Sequence, residues 1–454
     1  MNLLLLLPAF FSLAFVLRGK AETAFLSVYL PALLLLPETY AVKIPHLPPT
    51  SAAEFALIPI GLAGLFRLIQ RGSFSLMDFL VIAYACSITA TEVTTERILN
   101  DGIFFAANAC IAIVLPYMAA RTLIEPLLRL ATVRRIVILF LLTIPFGIFE
   151  WRFGQSLYGI IGQKFLFLSN VNTGVVIRDG RGRMGGAFTF SEIEGIALGM
   201  TASLNGWLAY VNRTQGGAAL GKLFSNLEKY HVPGLLILMS IVLTQSRGPL
   251  MSLAAAYLII QIPRFKNTRL ASLVVAAVLA GCAFGAYEYF SHYTDVSYDQ
   301  IKSEQQGSAI YRAEMNVYFQ PVAEQGGWLG WGAFNVPKVR GQISIDNEFL
   351  RVHLVQGKFG YYVLILIVAE SIRVLVVRSW KMRSFEDRAF VFSMLGAMAV
   401  LWITLYTVYM GQQLPQFAFL LMGWCQSISP TAESATATVE VTERPKFEFQ
   451  RVFR

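Results

Sequence analysis

Charged residues are scarce: Asp, Glu, Lys and Arg make up 14% of the 454 residues, where a soluble domain carries about 25%. With 56% of residues hydrophobic and a mean hydropathy of +0.57, that scarcity excludes water as the main solvent of the chain. Cysteine is scarce too. Cys86, Cys110, Cys282 and Cys425 each fall in an apolar run without paired spacing, so they read as small core hydrophobes rather than disulfides or metal ligands. A cleavable leader is lacking: residues 1–17 have no basic stretch ahead of the apolar run and no small-residue cleavage site, and Arg18 and Lys20 follow it. The run therefore reads as an uncleaved helix. A nucleotide loop is also missing, because Gly216, Gly221 and Lys222 imitate one but Leu223 stands where Ser or Thr is required, and no strand precedes.

Apolar runs near the length of a bilayer crossing recur along the whole chain. They predict an all-α polytopic membrane protein of about 12–13 transmembrane helices. The membrane domain covers residues 1–428, and residues 429–454 have the composition of a disordered cytoplasmic tail. The net charge of +9 is not the footprint of a nucleic-acid binder, because the basic residues sort by loop. Short connections on one side hold nineteen basic and seven acidic residues, and the other side holds fourteen and seventeen. Positive loops lie in the cytoplasm. That rule puts the N-terminus outside, the C-terminus inside, and two long segments, residues 151–186 and 291–356, on the outer face. Function is expected in outer loops of such length.

Within those segments a few residues carry chemistry. Arg247, in the turn Thr244–Gly248, is a cation at the outer end of a hairpin, where the positive-inside rule disfavours one. It needs an anionic partner, or it snorkels to lipid headgroups. Arg312 lies in a loop helix, with Glu304 and Glu314 as bland ion-pair partners. Arg178, Arg181 and Arg183 sit among glycines that let backbone approach a phosphate, or form a solvated basic loop. Asp346 precedes a helical stretch, as an N-cap or as a general base. His353 follows seven residues on, as a relay or a structural histidine, and Asn347 joins it as a candidate for substrate contact. Trp328 and Trp331 suit either an interfacial belt or a platform for sugar rings.

Four pieces in order resemble the bacterial O-antigen ligase and O-antigen polymerase superfamily, including exopolysaccharide repeat-unit polymerases. They are the basic Gly-rich stretch running into Phe188–Ser191, the turn Thr244–Gly248, the Arg312 helix followed by Trp328–Gly332, and Asp346–Leu350 ahead of Gly357 and Gly360. The likeness covers roughly residues 178–377. It implies a fold similar to the GT-C glycosyltransferases, in a bacterial inner membrane with a periplasmic active face. It further implies a metal-independent, cofactor-free inverting transfer of glycan from an undecaprenyl diphosphate carrier to a sugar hydroxyl. Arg247 and Arg312 would stabilise the leaving diphosphate, with Arg181 or Arg183 helping, and Asp346 would take the acceptor proton. The ligases usually carry histidine at the position matching Asp346, which favours a polymerase over a ligase acting on lipid A core. Implied partners are the lipid carrier, the glycan acceptor, the bilayer, and chain-length and export proteins. A reading of another class is a flippase or other transporter for lipid-linked oligosaccharide, which predicts charge in mid-span where little besides Glu370 is visible.

Overall fold

The computed structural model describes residues 3–43, 48–96, 99–169, 171–215, 231–296, 301, 303–339 and 341–428. The expected tail and the imitation nucleotide loop lie outside them. In chain order the helices are α1 (Leu4–Leu17), α2 (Ala21–Leu35), α3 (Ala52–Arg71), α4 (Leu76–Glu96), α5 (Gly102–Leu123), α6 (Arg129–Phe153), α7 (Leu157–Lys164), α8 (Ser191–Gln215), α9 (Val232–Leu243), α10 (Arg247–Gln261), α11 (Thr268–Thr294), α12 (Glu304–Gln325), α13 (Glu348–Lys381), α14 (Phe385–Leu405) and α15 (Leu414–Ser427). To these are added short 3-10 turns at Pro126–Leu128, Gly186–Phe188 and Ile262–Arg264, and two antiparallel ribbons of two-residue strands: β1 (Ala41–Val42) with β2 (Thr50–Ser51), and β3 (Ile177–Arg178) with β4 (Arg181–Gly182).

The protein is an all-α, membrane-embedded bundle. Among the described residues, α3, α4, α5, α11, α13 and α14 are long and apolar enough to cross a bilayer. The other expected crossings are present as helices that are shorter, such as α9 with 12 residues, or more polar, such as α6 and α8 with their buried Arg134, Glu150 and Glu194.

Local sequence explains the boundaries. Ser51 and Glu54 form a reciprocal capping box at the start of α3, and Gly72 ends it in the left-handed conformation. Gly61 and Gly64 let α3 cross α5 closely, since a Cβ there would meet Leu115 Cβ at 2.6 Å and the Met118 carbonyl at 2.9 Å. α14 and α15 supply the centre, with Phe390, Phe392, Phe417, Phe419 and Trp424 fully buried. Of the cysteines only Cys425 is in that core. Cys86, Cys110 and Cys282 are exposed on the outward face, because apolar patterning in a membrane chain does not separate core from lipid.

Charge collects at the two ends of the bundle. One end carries Arg67 with Glu22, Arg121 with Asp78, and Arg129 with Asp387. Further toward that end of α13, Glu370 is held by both Arg373 nitrogens at 2.5 and 2.7 Å. The opposite end, called the site end below, carries the described segments 171–190, 244–248, 303–339, 341–347 and 406–413.

Candidate functional site

Backbone interlocking fixes the floor of the site end. α13 breaks at Gly357, whose φ of 67 lies in the left-handed region. The break frees backbone groups, and the Gly326–Gly332 turn takes them up. Trp331 N–H donates to the Leu354 carbonyl at 2.9 Å, Gly332 N–H to Val355 at 3.0 Å, Lys358 N–H to Gly327 at 3.0 Å and Phe359 N–H to Trp328 at 3.1 Å. The two segments touch so closely that a Cβ on Gly357 would lie 2.3 Å from the Gly330 nitrogen. Gly357→Ala therefore combines a left-handed penalty with a backbone clash, and is expected to cost about 3 kcal/mol or more. Thermal unfolding in detergent should show a loss of many degrees, while Gly341→Ala, which shares the left-handed conformation (φ 83) but whose Cβ meets nothing, should show only the left-handed penalty of about 1–2 kcal/mol.

That turn separates the two tryptophans. Trp331 packs beneath it and donates Nε1–H to the Val322 carbonyl at 2.9 Å, whereas Trp328 is 66% exposed and free to receive a ligand.

On the other side of the site, the β3–β4 ribbon pairs Arg178 opposite Arg181 and docks on the 243–247 turn. Arg178 Nη1–H donates to the Gln245 carbonyl at 3.2 Å, and Arg183 Nε–H to that of Thr244 at 3.0 Å. Met184 N–H donates to Leu243 at 3.1 Å. Gln245 itself takes a φ of 52, which sharpens the turn before α10. Arg181 leaves the cluster and lies over the Trp151 ring, 4.6 Å from its centroid. Arg183 is buried and ion-paired with Glu192. Burial pushes its guanidinium pKa down; the Glu192 carboxylate opposes this, and Arg178 and Arg312 push it down further. Three cations from two distant segments therefore share one region, and a guanidinium stays charged there at any physiological pH.

Arg312 arrives on α12. Its Nη1–H donates to the Ser308 hydroxyl at 3.2 Å, and its buried Nε has no acceptor. Asp346 lies along the same helix. Tyr311 Oη accepts from the Ile343 and Ser344 amides at 2.9 and 2.8 Å, Ser344 Oγ donates to Asp346 Oδ1 at 2.9 Å, and Asp346 N–H points to Met315 Sδ at 3.3 Å. The helix cap here is Asn347, whose side-chain oxygen accepts from Phe349 and Leu350 N–H while its amide donates to Asn316. The N-cap role considered for Asp346 is thus filled by its neighbour, leaving the Asp346 carboxylate for other work. His353 stacks on Tyr361 and lies near the Glu324–Lys358 ion pair.

Tyr409, in the turn between α14 and α15, joins the two halves. Burial raises its phenol pKa, and the carboxylates of Glu192 and Asp346 raise it further, against Arg351. Its ring meets Phe190 edge-on at 6.3 Å. Glu348 anchors this turn from α13, accepting from Met410 N–H at 2.8 Å while bound to both Arg351 nitrogens. Arg247 stands at the rim, exposed, with no hydrogen bond or ion pair among the described residues.

Tyr409, Glu192 and Glu38 were not singled out by motif. Glu38 N–H donates to Gln413 Oε1 at 2.9 Å, its Oε2 is buried without a partner, and its charge reaches Tyr409. Burial, with Glu54 nearby, lifts its carboxyl to about 7 from an ordinary 4.5. A raised carboxyl pKa stabilises the fold fully below about 4.5, and that contribution is lost as pH rises through about 7. Glu38→Gln should accordingly raise the thermal midpoint by a few degrees near pH 8 and leave it unchanged near pH 4.5. Equal shifts at both pH values would refute the assignment.

No family model matches the chain, and no curated protein does either.

Proposed function

We propose that the site end carries out glycosyl transfer from a lipid-linked diphosphate donor, as a polymerase of oligosaccharide repeat units in a GT-C-like fold facing the periplasm. The observation that supports this reading best is the gathering of Arg178, Arg183 and Arg312 in one region, with Glu192, the ion-pair partner of Arg183, and Asp346 both near Tyr409. Glu192 offsets one of these three cations, and an anion joining the other two would relieve the repulsion that remains. A diphosphate leaving group has the matching charge and planar oxygen pairs for bidentate guanidinium contacts.

In this reading the acceptor hydroxyl oxygen attacks the anomeric carbon as the bond to the diphosphate oxygen breaks, with inversion. Asp346 takes the hydroxyl proton. Arg312, with its free Nε, and Arg247 at the rim stabilise the charge that accumulates on the departing lipid diphosphate. Arg183 acts through position: its pairing with Glu192 and its bond to Thr244 hold the ribbon against the 243–247 turn. Trp328 offers an exposed indole face for a sugar ring.

Incubating the purified protein with undecaprenyl-diphosphate-linked repeat units tests the reading. A ladder of products supports a polymerase. Single transfers to a separate acceptor support the ligase version of the same chemistry. Absence of any transfer from a folded, membrane-reconstituted preparation refutes glycosyl transfer.

A further inference from the structure

We propose that the groove between α10 and α11 seats the isoprenoid chain of the donor, with Arg247 at its mouth holding the phosphate head; this rests on the transfer reading above and names where its lipid lies. α11 is the feature that calls for explanation. It is the most apolar of the six long helices, with hydropathy 2.1, yet only 6% of that window is buried. It is tied to the bundle chiefly at its ends, by the Ile262–Arg264 turn at one and by α12 at the other, and meets α10 only thinly. Between these fastenings a cavity of about 620 Å³ opens, walled by α9, α10 and α11 and lined without a single charged side chain.

The cavity continues the site rather than lying apart from it. Arg247, Met251, Ala254 and Leu258 follow the helical repeat down one stripe of α10, and the last three line the cavity. From Arg247 to Leu258 the stripe runs about 16 Å. Opposite it stand Leu279 and Cys282 of α11. A cation without a partner among the described residues therefore caps an uncharged groove, and its own turn accepts hydrogen bonds from Arg178 and Arg183. The complementary molecule has an anionic head and one long branched hydrocarbon tail. Small residues at 254 and 255 leave the width for that chain.

The native thiol of Cys282 reports occupancy. Full-length protein in nanodiscs is treated with a membrane-permeant maleimide, and the modification of each cysteine is followed by mass spectrometry. Undecaprenyl diphosphate at ten times its dissociation constant is expected to slow Cys282 labelling about tenfold, leaving exposed Cys86 and Cys110 unchanged as internal references. Inorganic pyrophosphate and phosphatidylglycerol are expected to give no protection. Ala255→Trp, which fills the groove, and Arg247→Ala, which removes the head contact, should each abolish protection; unchanged Cys86 and Cys110 rates show that the variants are folded. Protection by phosphatidylglycerol equal to that by undecaprenyl diphosphate overturns the proposal, as does protection that survives Ala255→Trp. Because labelling requires no turnover, protection without transfer products keeps the groove and removes the transfer reading, whereas transfer without protection does the reverse.

Discussion

Arg312→Ala is expected to lower the rate of glycan transfer by about 10²–10³-fold, the usual consequence of removing one preorganised donor to a developing oxyanion. Arg312 is half-buried on α12, and among the described residues its Nε has no acceptor and its hydrogen bond goes to Ser308, so little of its charge is spent on the fold. Alanine should therefore leave expression, membrane insertion and the thermal midpoint nearly as they are. Lysine is the sharper comparison. It restores the charge without the planar fork, so Arg312→Lys should recover part of the donor affinity and little of the rate. Polymer yields and kcat for the two variants check this, and a wild-type rate in Arg312→Ala would remove Arg312 from the chemistry. Arg183→Ala should behave differently: its guanidinium ties Thr244 to Glu192, and its loss is expected to loosen the ribbon and lower the thermal midpoint together with activity.

Asp346→Asn should cost about 10²–10⁴-fold in kcat by removing the proton acceptor while keeping size and hydrogen-bonding capacity. The Ser344 hydroxyl can still donate to the amide oxygen, so the approach to α13 is expected to keep its shape. Asn347→Ala provides the contrast. It deletes the cap that receives Phe349 and Leu350 N–H and is expected to cost about 1 kcal/mol of stability with a smaller effect on rate per folded molecule. Measuring kcat and thermal midpoint side by side separates the two neighbours. If Asp346→Asn loses stability and keeps its rate, the base belongs elsewhere, and Glu38, a carboxyl that titrates near 7 within reach of Tyr409, becomes the next residue to replace.

Patterning legible in the sequence reached the helical class and the gathering of unusual cations at one end, because bilayer length and the cost of buried charge constrain both. The arginine ribbon, the 244–248 turn and the Asp346 segment are separated by long stretches of chain, and their spacing in the sequence carried no distance between them. Choices between equals were not legible. Asp346 and Asn347 are both good caps by type, and only the backbone decides that Asn347 accepts the bonds. Trp328 and Trp331 sit in one short Gly-rich turn, and the kink at Gly357 goes with Trp331 being the one that packs against α12. Glu38 and Tyr409 carry no motif; they matter through Gln413 and the α14–α15 turn, which bring residues hundreds of positions apart together. Exposure of three cysteines escaped the reading for a related reason, since lipid-facing and core positions are equally apolar.

Main-chain mating at Gly330 and Gly357 has a mechanical result. Because the 326–332 turn is hydrogen-bonded on both flanks of the α13 break, the Gly/Trp segment moves only when that transmembrane helix moves. Under the proposed transfer reading, access for an incoming sugar is then expected beside Ile343, which is 98% exposed. Amide exchange should accordingly be slow at Trp331, Gly332, Lys358 and Phe359 and fast at the exposed Phe334, Lys338 and Gly341, so that the stationary half of the segment serves as an anvil against which the other half works.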